Sequence, residues 1–95
     1  MTNLDELLAV AHKLRAPGGC PWDAEQTHES LVKYLLEETY ELIEALESGS
    51  REEIMEELGD VLYQVVFHSD LAAAGSLGEP FDIQDVAKLS ADKMR

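Results

Sequence analysis

Four carboxylates in this sequence are spaced so that they could act together. Glu38 and Glu41 stand three residues apart in Leu35-Leu36-Glu37-Glu38-Thr39-Tyr40-Glu41-Leu42-Ile43, and Glu57 and Asp60 stand three apart in Ile54-Met55-Glu56-Glu57-Leu58-Gly59-Asp60-Val61-Leu62. Three residues are nearly one turn of a helix, so each pair shares a face. The offsets from neighbouring apolar positions match. Glu38 lies at the edge of a stripe formed by Leu31, Leu35, Leu42 and Leu46, and Glu57 at the edge of one formed by Ile54, Leu58, Val61, Leu62 and Val65. Glu41 and Asp60 lie just beyond. Glu37, Glu44 and Glu56 point further toward solvent.

Folding the chain back on itself near Gly49 places Glu38 level with Asp60 and Glu41 level with Glu57. Four like charges so close repel strongly, and a bound cation relieves this completely. The ligands are all hard oxygens, which suits magnesium or manganese. A di-iron bundle would need E-x-x-H motifs on facing helices. That pattern occurs once, as Glu25-Gln26-Thr27-His28, ahead of the helix, and neither Glu41 nor Asp60 has a suitable histidine. In an acidic sequence E-x-x-E spacing also arises by chance on solvated faces, and the matched pair of pairs is what separates this one.

The elements that must position these acids read as helices throughout. Apolar residues recur at helical spacing from Leu4 to Leu14, with Thr2 as cap. The segment Ala16 to Pro21 breaks that helix. Thr27 caps a second helix reaching about Ser48, with Gly49 suited to a left-handed C-terminal position. Ser50 and Glu53 form a capping box for a third helix to about Ala74. Gly75 to Pro80 is a loop, and Asp82 caps a fourth helix. No segment alternates as a strand would. The expected fold is all-α, a four-helix bundle with the second and third helices as a central antiparallel hairpin. Residues 1–95 are expected to form a single domain.

Composition bounds the function. Twenty acidic residues face seven basic ones, a net charge of −13. Such a chain repels nucleic acid and anionic membrane, and a polyanionic substrate could approach only with cations. No apolar run is long enough to span a bilayer and no leader is apparent. Cys20 is the only cysteine, so a reducing cytoplasm is expected. Small size and a second apolar strip on the third helix, Phe67 and Leu71, predict a homodimer.

Other candidates lie around the first loop. Trp22, the only tryptophan, could stack on a base or plug the bundle. Asp23, Gln26 and His28 could offer hydrogen bonds. Arg15 and Lys93 are basic residues that could meet a phosphate, or simply end helices. His12 and His68 read as ordinary helix residues, and Cys20 has no base to activate it.

The run Leu14-Arg15-Ala16-Pro17-Gly18-Gly19-Cys20-Pro21-Trp22-Asp23, followed by Glu25-Gln26-Thr27-His28, resembles the opening of the MazG nucleotide pyrophosphohydrolases. Leu36-Glu37-Glu38-Thr39-Tyr40-Glu41 is similar to that family's E-E-x-x-E motif, Glu57-Leu58-Gly59-Asp60 to its E-x-x-D motif, and Val65-Val66-Phe67-His68 continues the likeness. The resemblance implies an all-α fold, a homodimer or larger assembly, and hydrolysis of nucleoside triphosphates to monophosphate and pyrophosphate in nucleotide-pool house-cleaning. It implies magnesium held by Glu38, Glu41, Glu57 and Asp60, with Glu37 in the metal or water network and Trp22 near the nucleoside. Glu38 or Glu41 would accept the proton of the attacking water. Family members usually continue beyond the position of Lys93 into an Arg-Arg-His-Pro-rich segment, which this sequence lacks; reduced phosphate binding and activity are expected. Two alternatives remain in view: a phosphoribosyl-ATP or deoxynucleotide-specific pyrophosphohydrolase, and a non-catalytic acidic module that mimics nucleic acid.

Overall fold

The computed structural model describes all 95 residues. The chain is all-helical, in the order α1 (Asn3–Arg15), α2 (Pro21–Ala24), α3 (His28–Ser48), α4 (Arg51–Ala73) and α5 (Ile83–Met94). The four long helices begin where local capping chemistry puts them. The Thr2, Thr27, Ser50 and Asp82 side chains each accept a hydrogen bond from a backbone N–H of the first turn. Reciprocal boxes close at Thr2 with Asp5, Thr27 with Ser30 and Asp82 with Asp85. The box expected at Ser50 is only half formed. Its hydroxyl accepts from Glu53 N–H and donates to the Glu53 carboxylate, instead of that carboxylate reaching back to the Ser50 backbone.

Two local expectations are corrected. The Ala16–Pro21 break leads into a short fifth helix, α2, because Pro21 sits at its first position, where a missing N–H costs nothing. Gly49 is not left-handed: its φ is −89° and ψ 170°, and its N–H bonds Ala45 O at 2.7 Å. Glycine is needed there for proximity, since a Cβ would sit 2.7 Å from Ala45 O and 3.0 Å from Ala45 Cα.

The core is elsewhere than the apolar stripes suggest. Leu31, Phe67 and Leu71 form its centre, with Tyr34 and Tyr63 packed against it. Val66, Ala11, Ala45 and Ala72 are also buried. Phe67 and Leu71, expected on an outer strip, are the interior. Leu35, Leu46, Leu58, Leu62 and Val65, expected inside, are exposed. The reason is placement. α1 and α5 pack on the C-terminal half of α4, through Leu8 and Ile83 beside Val66, Ser69 and Ala73. Trp22 of α2 reaches Tyr34 near the start of α3. The remainder of the α3–α4 hairpin is a two-helix arm, and two helices alone cannot cover both apolar faces.

The openness is measurable. The radius of gyration is 14.3 Å, against about 12 Å for a compact chain of this length. The accessible surface is 6880 Å², against roughly 5,400 Å² for a compact monomer of this mass. No helix is long and apolar enough to cross a membrane.

Candidate metal centre

The arm carries the acids. Capping at Thr27 and Ser50 fixes where α3 and α4 start, and the short Gly49–Ser50 link fixes their register. Carboxylate oxygens of Glu38, Glu57 and Asp60 then lie within 4.8 Å of one another. Glu41 stands beside this trio and outside it, on a groove shared with Glu44, Glu53 and Glu57. It is close enough that its charge bears on both Glu38 and Glu57. Glu37 is exposed, and acts on Glu38 only through its charge.

The electrostatics are those of crowded acids without a counterion. Partial burial pushes the Glu38 carboxyl above the ordinary glutamate range, and Asp60 and Glu41 push it further. Glu57 is raised in the same way, by burial first and then by Asp60, Glu41 and Glu38. Glu57 Oε2 is shielded from solvent and has no hydrogen-bond partner. Every ion pair in the chain lies elsewhere: His12 and Arg15 with Asp70, Arg51 with Glu52, Lys88 and Arg95 with Asp92. A divalent cation suits this donor set. It would satisfy the stranded Glu57 oxygen and neutralise the mutual repulsion, which no side chain does.

The residues expected around the first loop sort differently. Trp22 is 47% exposed and meets Tyr34 edge-on at 5.4 Å. Tyr34 precedes Glu38 by about one turn of α3, so this aromatic pair borders the acids. Lys33 Nζ lies 5.1 Å from the Tyr34 ring centroid. Sequence reasoning singled out neither Tyr34 nor Lys33; the four-residue spacing of Tyr34 from Glu38 was the available signal.

Arg15 is engaged within the chain. Its Nε–H donates to Asp70 Oδ2 at 2.7 Å, and Nη2 reaches Asp70 O at 3.4 Å. The guanidinium ties α1 to α4. Gln26 is likewise engaged, donating to Trp22 O and accepting from Ser30 Oγ. Asp23 is buried, and its charge bears on the Tyr63 hydroxyl, whose pKa burial raises first. Lys93 is exposed at the end of α5, with no ion pair. His68, expected as an ordinary helix residue, hydrogen-bonds His28, with 2.7 Å between their Nδ1 atoms.

Comparison with known proteins gives a consistent family. Residues 26–95 match the MazG nucleotide pyrophosphohydrolase domain. The chain is 49% identical over 90 residues to the nucleoside triphosphate pyrophosphohydrolase/pyrophosphatase MazG of Thermotoga maritima, covering 95% of this chain and 34% of that protein. It is 54% identical over 84 residues to a nucleoside triphosphate pyrophosphohydrolase of Mycobacterium tuberculosis, covering 88% of this chain and 25% of that protein. With the Escherichia coli K12 nucleoside triphosphate pyrophosphohydrolase it shares 40% identity over 95 residues, 99% of this chain and 35% of that protein. The chain thus spans about a third or less of the length of these relatives.

Proposed function

Since the chain belongs to the MazG nucleotide pyrophosphohydrolase family, we propose that it hydrolyses nucleoside triphosphates between the α- and β-phosphates, releasing monophosphate and pyrophosphate. The observation that carries this reading is the convergence of Glu38, Glu57 and Asp60 with a stranded Glu57 oxygen and no basic partner. Three relatives named as nucleoside triphosphate pyrophosphohydrolases support the substrate class. Glu38, Glu57 and Asp60 gather at one patch, as metal chemistry needs. Nucleotide-pool house-cleaning is the corresponding cellular role, and a reducing cytoplasm with Cys20 as free thiol is the corresponding setting. Residues 1–95 are taken as one such domain.

Glu38, Glu57 and Asp60 would hold magnesium, or manganese in its place, with Glu41 completing the set and Glu37 acting through the surrounding water. The cation, when bound, neutralises phosphate charge and makes an adjacent water more acidic. Glu41 accepts the proton of the attacking water. It is exposed and beside the trio, whereas Glu38 is one of the three converged acids. A bond forms from the water oxygen to the α-phosphorus, the bond from that phosphorus to the bridging oxygen breaks, and pyrophosphate leaves with that oxygen. Lys33 and Lys93 are the side chains proposed to meet phosphate, and Trp22 lines the approach to the acids.

The chain is proposed to work as a homodimer or larger assembly. Its surface exceeds that of a compact monomer by about 1,500 Å², comparable to the area one partner loses in a substantial interface. The exposed leucines of the arm are the face to be covered. A pyrophosphate-release assay across the common nucleoside triphosphates, with magnesium present, tests the activity. Release from none of them rejects the reading.

A further inference from the structure

Three side chains in series join the start of α3, the C-terminal half of α4 and the loop beyond it. The Nδ1 atoms of His28 and His68 are 2.7 Å apart, and His28 Nε2 lies 2.6 Å from Ser76 Oγ. The two rings are inclined by 13° with centroids 5.0 Å apart. The nitrogen separation and the two ring radii account for the whole of that distance, so the rings meet edge to edge in nearly one plane. This is the geometry of an N–H···N hydrogen bond, which needs one proton between the two nitrogens and no more.

Burial decides which ring supplies that proton. His68 Nε2 is shielded from solvent and has no partner. A stranded N–H is rarer in folded proteins than an under-used acceptor. His68 therefore leaves Nε2 bare, carries its proton on Nδ1 and donates to His28 Nδ1. His28 then carries its own proton on Nε2 and donates to Ser76 Oγ. A third proton has no good place. On His68 Nε2 it makes a buried, charged N–H without an acceptor; on His28 Nδ1 it faces the N–H of His68 and breaks the bond. No counter-charge is at hand. Asp70, two residues beyond His68, is held by Arg15 and His12 of α1. Asp82 and Asp85 are taken up in the cap of α5, and Glu29 and Glu79 are exposed. The groove beside the pair, lined by Leu35, Gln64, Val65, Leu77, Phe81 and Val86, offers no ionisable group besides the two histidines. Burial, and then the facing His28, hold the His68 pKa below 6.5. The contact is therefore intact above that value and is lost as pH falls.

What the series fastens is the least secured part of the fold. No residue of α5 is buried, and α4 is the one helix that α5 packs on. The connection into it turns through two left-handed glycines, Gly75 at φ 91° and Gly78 at φ 95°, and Ser76 lies between them. We propose that His68, His28 and Ser76 form a proton-sensitive latch, which holds this loop and α5 against the hairpin and is released by the uptake of one proton. Lys88, Lys93 and Arg95, three of the seven basic residues, lie on α5 and its cap. In acid the basic end of the chain then moves independently of the hairpin that carries the acids.

Amide hydrogen exchange read by mass spectrometry tests the latch on the whole chain, with rates corrected for the intrinsic effect of pH. From about pH 7.5 to about pH 5.5, protection of residues 74–95 should fall about tenfold, while the α3–α4 hairpin loses none. His68→Gln removes the titrating group, and the acid response of residues 74–95 should disappear with it. Ser76→Ala unfastens the loop, so protection there should be low already at neutral pH. A fall spread evenly over the chain, or the same acid response in His68→Gln, would overturn the proposal. Nitrogen resonances of the parent histidines give a reading that needs no variant. At neutral pH both rings should be uncharged, with the proton on Nδ1 of His68 and on Nε2 of His28. A proton on His68 Nε2 there removes the latch, whether or not the variants fold.

Discussion

Carboxylate oxygens of Glu38 on α3 and Asp60 on α4 lie within 4.8 Å of each other across the hairpin, a distance at which two ionised groups repel. A proton or a cation between them relieves that repulsion. Glu38 and Glu57 both hold their protons more tightly in the folded chain than at the ordinary glutamate value of 4.5. Their contribution to stability is therefore complete below that value and is lost as pH rises through the raised folded values. In chelator, the melting temperature should decline from mildly acidic to neutral pH. His68 works the other way, since its pKa is lowered below 6.5 and its contribution is lost as pH falls. Comparison with Glu38→Gln isolates the acids, and this variant should show a flatter profile. Parallel profiles for the two proteins would contradict the account.

Magnesium or manganese should stabilise the chain, because the ion binds the converged acids of the folded state alone. At a hundredfold excess over Kd the melting temperature should rise by on the order of 10 °C. Calorimetric scanning with and without each ion gives the answer, and no shift with either would remove the metal centre.

Replacing the acids one at a time should separate ligands from neighbours. Glu38→Gln, Glu57→Gln and Asp60→Asn should each lower kcat/KM by about a hundredfold or more, since lost charge neutralisation is felt in the transition state. Glu41→Gln should lower kcat with a smaller change in metal affinity, as expected of a proton acceptor outside the trio. Glu52→Gln, in the first turn of α4 and exposed, should stay within about twofold. Equal damage from Glu52→Gln would mean that overall charge, not convergence, matters.

Arg15→Ala should cost stability and spare chemistry. The Arg15 and Asp70 side chains are 16% and 18% exposed, so Asp70, left with His12 as its one remaining partner, should make the change cost about 1–2 kcal/mol. Substrate KM should be nearly unchanged. A large KM effect at native-like melting temperature would restore Arg15 as a phosphate ligand.

The two classes of apolar residue should also part company. Phe67→Ala opens the interior and should destabilise by about 3–5 kcal/mol. Leu58→Glu, on the uncovered arm, should leave the helices folded and weaken self-association. Light scattering decides: an unchanged assembly state in Leu58→Glu moves the interface off the arm, and a monomeric parent removes it.

Much of this was legible in the residues, and the boundary has a physical reason. The caps at Thr2, Thr27, Ser50 and Asp82 are local chemistry, so the helix starts follow from them. The meeting of Glu38 with Asp60 follows from helical pitch and a short turn. Which apolar face lies inside was not legible. Both the Leu58–Val65 face and the Phe67–Leu71 face are apolar, and the choice depends on where α1 and α5 dock. The Arg15–Asp70 pair and the His28–His68 bond join residues 55 and 40 positions apart, beyond the reach of periodicity. Pro21 reads as a breaker as readily as a first helical residue.

Gly49 has a further effect, on what insertions the chain can tolerate. The two halves of the metal centre are joined by a link too tight for a side chain at Gly49, so their alignment is kept by counting residues outward from it. A residue added inside α3 between Glu41 and the link would rotate Glu38 by about 100° relative to Asp60 and lift it by about 1.5 Å. A residue added to the loop before Asp82 would disturb neither. Length variation is thus closed to the arm and open to the connection beyond α4, so the stretch from Glu38 to Asp60 behaves as a ruler whose divisions cannot be changed one at a time.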